Sequence, residues 1–409
     1  MKVRIMQTLF ILLLYILYLG NEINALLPYG RYGHTANFLN NKIYFYGGAS
    51  SGSNTNKFLY LDVSKSFDLI NTKSMLWTDL SIVTSISQTY ATSVTKNNSI
   101  FFIGGSNSIS INQIDKFDTL TEQYVTYNFT GTVTLPTAYS TPSSSYDFYI
   151  TNAQGVISNN IIYVFSGFNS SDMIMYNTLS ITYSSLLLET APPALQGYTA
   201  TLLQNGDILY IGGYLYLNTT ISRPTAQTTS GQIPTLQYGH TSTLISQHNL
   251  ILVIGGYSQG RITSLDINNF IWTNITALND GFITGLYYHT ATLVRNYIII
   301  AFGRYGTPLP PGVYDLYSNN ISIIDISRKG SNKWVTTYNA PPPTTTPTMT
   351  STSTPDITPG VILGIIGGTI GFVGLIIVSY ICYKKRRNKP YVTYSSEAVA
   401  DHYPVENIS

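Results

Sequence analysis

An apolar run closed by Gly-Gly or a close relative occurs six times in this chain, and that repetition limits the folds open to it more than any other feature. The endings are Gly47-Gly48, Gly104-Gly105, Ser166-Gly167, Gly212-Gly213, Gly255-Gly256 and Phe302-Gly303, at a mean spacing of 51 residues. The text before each is similar: NKIYFYGG, NSIFFIGG, NIIYVFSG, GDILYIGG, HNLILVIGG and RNYIIIAFG. A fixed period of this size marks a chain built from copies of one supersecondary unit, each too small to bury its own apolar face.

Within a unit the pattern reads as strands. HTANFL (34–39), YTATLL (198–203), HTSTLI (240–245) and HTATLV (289–294) alternate with period two. Short polar links such as Asn40-Asn41 and Asn205-Gly206 join them to the next apolar run, so each pair predicts a hairpin. The second half of a unit runs from an Asx residue ending a third strand to an aromatic: Asp118 to Tyr124, Asn177 to Tyr183, Asp266 to Trp272, and more loosely Asp62 to Trp77 and Asp325 to Trp334. Four antiparallel strands repeated radially make an all-β propeller, and six units predict six blades. The double glycine belongs where backbones approach closely near the crowded axis and φ must be positive. The aromatic, including Trp77, Trp272 and Trp334, is expected to pack one blade sheet on the next. Unit four has only 26 residues between Gly213 and His240 and lacks an Asx-to-aromatic half, so its blade is expected to be degenerate. The first strand of unit three is hard to place in STPSSSYDFYITNAQG.

The combination RYGHTA…GG…YLDV…W, over about residues 29 to 338, resembles the kelch-repeat propellers, relatives of the galactose oxidase-like propellers. In its wider layout the chain resembles the single-pass membrane kelch proteins of fungi. The galactose oxidase resemblance implies a copper site with a tyrosine cross-linked to cysteine. The only cysteine here is Cys382, outside the repeats, so the resemblance implies scaffold without that cofactor.

Lys2 and Arg4 precede an apolar run, Leu9 to Leu19, and Ile23-Asn24-Ala25 offers a cleavage point, so residues 1–25 read as a secretory signal peptide. Residues 26–339 form the repeat ectodomain. Residues 340–359, rich in Pro, Thr and Ser, read as an extended, mucin-like stalk. Residues 360–383 predict one transmembrane helix: its 23 uncharged residues from Val361 to Tyr383 would extend about 34 Å. The basic run KKRRNK opens a tail, 384–409, that this rule holds in the cytosol. Gly364 and Gly368 are spaced for close pairing with a second span, which makes a homodimer a candidate assembly.

Setting aside Lys2, Arg4, the tail's five basic residues, Glu22, Glu397, Asp401 and Glu406 leaves 14 basic and 15 acidic residues outside the membrane. That balance predicts no nucleic-acid partner. Candidate N-glycosylation acceptors are Asn97, Asn128, Asn169, Asn218, Asn274 and Asn320.

His34, His240 and His289 occupy one slot in three units. Imidazoles could converge on a metal, but a slot repeated around a ring points instead to each capping a turn within its own blade. His248 falls in a hairpin link and is expected to be exposed. No catalytic or cofactor-binding residue is assigned: no nucleophile elbow, zincin, P-loop or zinc-knuckle spacing occurs in the ectodomain. The expected activity is therefore non-enzymatic binding or adhesion, with a protein or glycan held by propeller loops. A carbohydrate-active enzyme or oxidase is the alternative. The insertions at 49–57, 132–149, 214–237 and 304–320 are rich in Tyr, Ser, Thr and Asn, as recognition loops are. Yet many of the 34 tyrosines should simply pack between strands.

This orientation has a direct test. N-glycanase should lower the apparent mass of the expressed full chain, and protease added to sealed vesicles should digest only the tail. Glycan on Asn407, or a protected carboxyl terminus, would invert the topology.

Overall fold

The computed structural model describes residues 28–342, apart from 85, 107–110, 133–149, 166–171, 187–194, 216–228, 236–237, 258–260, 280–284 and 311–315. The signal peptide, nearly all of the stalk, the span with Gly364 and Gly368, the tail, and also Gly167, Asn169 and Asn218 lie outside the described residues. Among the described residues no helix is long and apolar enough to cross a membrane.

The chain is a β-propeller with five complete blades, not the six expected; in units three and five a short parallel strand, Thr130–Thr132 or Ser230–Gly231, adds to the outer edge. Units one, two, three, five and six each give a meander of four antiparallel strands. In unit one these are Thr35–Leu39, Lys42–Tyr46, Phe58–Asp62 and Trp77–Asp79. Unit four takes its place in the ring with two long strands, Leu195–Leu202 and Ile208–Leu215, and no outer pair among the described residues. Its two strands are nevertheless covered on both faces. Leu195, Tyr198 and Ala200 join the core of unit three, while Leu203, Leu209 and Ile211 pack against Ile251, Val253, Leu265 and Trp272 of unit five. The elusive first strand of unit three is Gly155–Ser158, which lacks the His-Thr signature of its counterparts.

Local chemistry sets each meander. In unit one Asn40 and Asn41 adopt φ of 52° and 57°, the paired left-handed geometry of a two-residue hairpin turn. At the end of the third strand the Asx side chain accepts backbone N–H groups just beyond: Asp62 from Ser64, Asp118 from Leu120 and Thr121, Asn177 from Leu179 and Ser180, Asp266 from Asn268, Asp325 from Ser327. The following aromatic then pairs across the ladder with the residue before the Asx, as in Phe117↔Tyr124, Leu265↔Trp272 and Leu61↔Trp77. Trp77 packs on Phe45 of its own blade and Phe302 of unit six, with ring centroids 5.4 and 6.3 Å away. Trp334 donates its indole N–H to the Leu278 carbonyl at 2.8 Å, tying unit six to unit five.

The paired glycine works across the seam between blades. The second glycine donates its N–H to the next unit: Gly48 to Gln88, Gly105 to Ile150, Gly256 to Leu286, and Gly303 to Arg31, at 2.7–2.8 Å. At three of these four seams the first residue is a glycine, Gly47, Gly104 or Gly255, where a Cβ would meet the carbonyl oxygen of the neighbouring unit. At Gly104, where φ is 70°, a Cβ would collide with the Ile150 carbonyl oxygen. In unit six Phe302 holds the same left-handed φ, 60°, and its ring fills the space between His34 and Trp77.

Gly104→Ala should therefore destabilise the propeller by about 3 kcal/mol or more, through backbone collision added to left-handed strain. Gly206→Ala, at φ 92° with open space around it, should cost only about 1 kcal/mol. Urea unfolding of the full chain, followed by fluorescence of its three tryptophans, separates the two; equal costs would remove the seam explanation.

Candidate functional site

Six residues that precede the inner strands share a left-handed backbone: Gly33 (φ 64°), Tyr90 (61°), Asn152 (58°), Gly197 (66°), Gly239 (65°) and Tyr288 (53°). Each donates its N–H to the carbonyl of the preceding member: Tyr90 to Gly33, Asn152 to Tyr90, Gly197 to Asn152, Gly239 to Gly197, and Tyr288 to Gly239. Gly33 donates to Tyr288 and closes the circle, all six bonds being 2.6–2.9 Å. The ring rims one end of the central channel. From the opposite side of the circle, Asn152 Nδ2 donates to the Tyr288 hydroxyl at 2.8 Å. The Tyr90 and Tyr288 rings meet edge to face at 4.8 Å. These side chains lie over the opening and stopper it. Glycine at 33 and 239 makes room, since a Cβ there would meet the rings of Tyr90 and Tyr288 respectively.

Inside the ring, the three histidines are spread around the channel wall and bond between blades, not within their own as expected. His34 Nε2 pairs with Thr290 Oγ1 of unit six (3.0 Å), His289 with Thr241 of unit five (3.0 Å), and His240 with Thr199 of unit four (3.1 Å). The remaining seams are closed by Asn37 with Ser93, by Gly155 N–H donating to Thr92 Oγ1, and by Ala200 N–H donating to Gln154 Oε1. Burial pushes His34 well down from the usual imidazole range, and His240 and His289 down to about 4 and about 3. Neutral imidazoles already committed through Nε2 to neighbouring hydroxyls act as staples. His248 is likewise not an exposed link residue: half-buried, it bonds through Nε2 to the Ile326 carbonyl at 3.0 Å. The channel behind the stopper encloses about 190 Å³, below the ~300–1,000 Å³ of usual small-molecule sites.

Outside the ring the tyrosines continue as a connected sheet of rings. Tyr32 stacks on Tyr317 (5.6 Å, 8°), and Tyr238 stacks on Tyr257 (4.9 Å, 20°). Tyr287 joins Tyr257 and Tyr288 at 5.2 and 5.0 Å, and Tyr214 meets Tyr238 at 4.7 Å. Arg304 lies among them, its guanidinium 5.3 Å from the Tyr32 centroid and 6.0 Å from that of Tyr287. Burial raises the hydroxyls of Tyr90, Tyr238, Tyr287 and Tyr288, an effect Arg304 opposes at the first three, so all stay neutral and able to donate. Because second strands end at the ring, the described starts of the insertions at 49–57, 214–237 and 304–320 lie at this same end. The sequence carried a trace of the cluster in tyrosine recurring beside the histidine slot, as RYGH, QYGH and LYYH, and just after paired glycine at Tyr214 and Tyr257.

Four of the acceptor asparagines are among the described residues. Asn97 is exposed at a hairpin tip remote from the ring, and Asn128 and Asn320 are exposed. Asn274 is half-buried, its Oδ1 accepting from Asn279.

No protein-family model matches the chain. Over 172 residues it is 27% identical to the Rho GTPase-activating protein gacHH of Dictyostelium discoideum, a match taking in 37% of this chain and 11% of that protein. The chain thus spans about a tenth of that curated relative. The structure of YjhT, a kelch-type propeller, is similar with a TM-score of 0.50 at 12% identity, covering 76% of this chain and 98% of YjhT. At that identity the likeness is one of fold.

The staples predict an acid-sensitive fold. Unfolded histidine takes a proton near pH 6.5 while the buried rings stay neutral, so stability is complete above that pH and falls as pH drops toward 4. Each histidine adds up to ~1.4 kcal/mol per pH unit to the slope. The aspartates Asp68, Asp79 and Asp118 are held below 3.8 and act only at lower pH. His240→Gln should flatten the loss of stability between pH 6.5 and 4.5, whatever its stability at pH 7. An unchanged slope would mean that His240 is charged or exposed.

Proposed function

We propose that the chain is a non-enzymatic binding or adhesion protein of the cell surface or an endomembrane, a kelch-repeat propeller held out from a single span. The observation that carries this reading is the tyrosine face around the stoppered channel, beside which the described starts of three variable insertions lie. Aromatic rings with neutral hydroxyls give large contact area at small entropy cost, and such surfaces suit protein or glycan recognition. The layout of signal, stalk, span and basic tail in the sequence supports the location and resembles that of the fungal membrane kelch proteins. Three observations weigh against the oxidase alternative: the ectodomain sequence has no cysteine, each ring histidine engages a threonine of the neighbouring unit through Nε2, and the channel is small.

The full chain in detergent should bind ligands on protein or glycan arrays. Tyr238→Ala and Tyr257→Ala should each weaken that binding about tenfold or more, as loss of a central aromatic contact does, with thermal unfolding little changed. Hydrogen peroxide released from sugars or alcohols by copper-loaded protein would overturn the reading in favour of the oxidase.

A further inference from the structure

We propose that Arg304 makes the tyrosine face a receptor for carboxylate-bearing sugars, with the guanidinium taking the carboxylate and the flat tyrosine pairs taking the C–H face of the sugar ring. The inference rests on the binding role proposed for this face and names its ligand class.

Arg304 is fixed in place. Its backbone pairs with Tyr287, next to Leu286↔Tyr305, and bridges to Tyr317. Its side chain is half-buried between two aromatic rings, and its Nε is buried without a hydrogen-bond partner. No carboxylate pairs with it among the described residues, where the ion pair present is Lys57 with Asp79 at 3.0 Å, near the surface. A guanidinium carries five donors and keeps its charge at every physiological pH. A buried N–H donor without an acceptor, as at Arg304 Nε, is costly, and an incoming acceptor relieves that cost. Its neighbour Arg31 is different: it donates to the Gly47 carbonyl at 3.4 Å and is pressed against Phe302.

The chemistry of the occupant follows from what surrounds the charge. A planar fork matches a carboxylate in two parallel hydrogen bonds. One uncommitted cation suits a single negative charge, and an ectodomain with 14 basic and 15 acidic residues offers no field for a polyanion. Neutral tyrosine hydroxyls suit a ligand rich in hydroxyl groups. The stacked pairs Tyr32–Tyr317 and Tyr238–Tyr257, the latter with Tyr257 41% exposed, present the faces and edges on which a sugar ring can lie.

The test is calorimetric titration of the full chain in detergent with glucuronate and galacturonate, against glucose, galactose, acetate and sulfate. The uronates should bind about tenfold or more tightly than the neutral sugars, as a charge-assisted hydrogen bond implies. Acetate should compete weakly. Arg304→Gln should erase the difference between charged and neutral sugars, and Arg304→Lys should lose most of it. Tyr257→Ala should weaken both kinds of sugar and keep the difference. Should Arg304→Gln fail to fold, the native chain decides: acetate must displace a bound uronate, and glucose must need about tenfold or more the concentration of a second uronate to do so. Equal binding of uronate and neutral sugar, a difference that survives Arg304→Gln, or an affinity reproduced by acetate or sulfate alone would overturn the proposal. If the arrays reveal a ligand whose binding ignores Arg304 while uronates do not bind, this inference fails and the binding function stands. If the arrays reveal nothing, the binding function itself falls.

Discussion

A circle of six backbone hydrogen bonds is the constraint on which the rest of this propeller depends. It closes only if six residues, one from each unit, adopt a left-handed backbone and point N–H and C=O along the rim. Three of the six are glycine, which accepts this geometry freely. Tyr90, Asn152 and Tyr288 accept it at a strain of about 1–2 kcal/mol each. The strained positions are the ones whose side chains stopper the channel, so strain is confined to where a side chain has work to perform. The glycines flanking them supply the room.

A second tier of contacts fixes the blades to that circle. Glycines 48, 105, 256 and 303 donate from the ends of second strands to the neighbouring unit, and inner-strand side chains close every seam. Three of these seams use a neutral histidine against a threonine. That choice carries a consequence for acid stability which a serine or an asparagine would not, because only imidazole gains a proton in the unfolded chain near neutrality. The two-strand unit four survives in the ring because its seams and both its faces are satisfied by units three and five.

The same geometry builds the outer face. Strand direction in each meander ends the second strands beside the rim, and tyrosines next to the rim positions fan over it. A rigid ring beneath variable segments is an arrangement in which specificity can change without disturbing the fold. Arg304 adds a charge among the tyrosines, on a strand bridged to both Tyr287 and Tyr317 and therefore with little freedom to leave.

What the sequence by itself determined is the local and periodic part: six repeats of about 51 residues, hairpins with Asn-rich turns, Asx turns ahead of an aromatic, and glycine pairs where backbones must approach. These are legible because each depends on residues within a few positions of one another. Only the tertiary structure decided that five units complete a blade, that Gly155–Ser158 is an inner strand, and that histidines staple across seams. It alone brought Tyr32 beside Tyr288, 256 positions along the chain, and set Arg304 between Tyr32 and Tyr287. Those partners come from different units, and closure of the ring, not proximity in sequence, sets which of them meet.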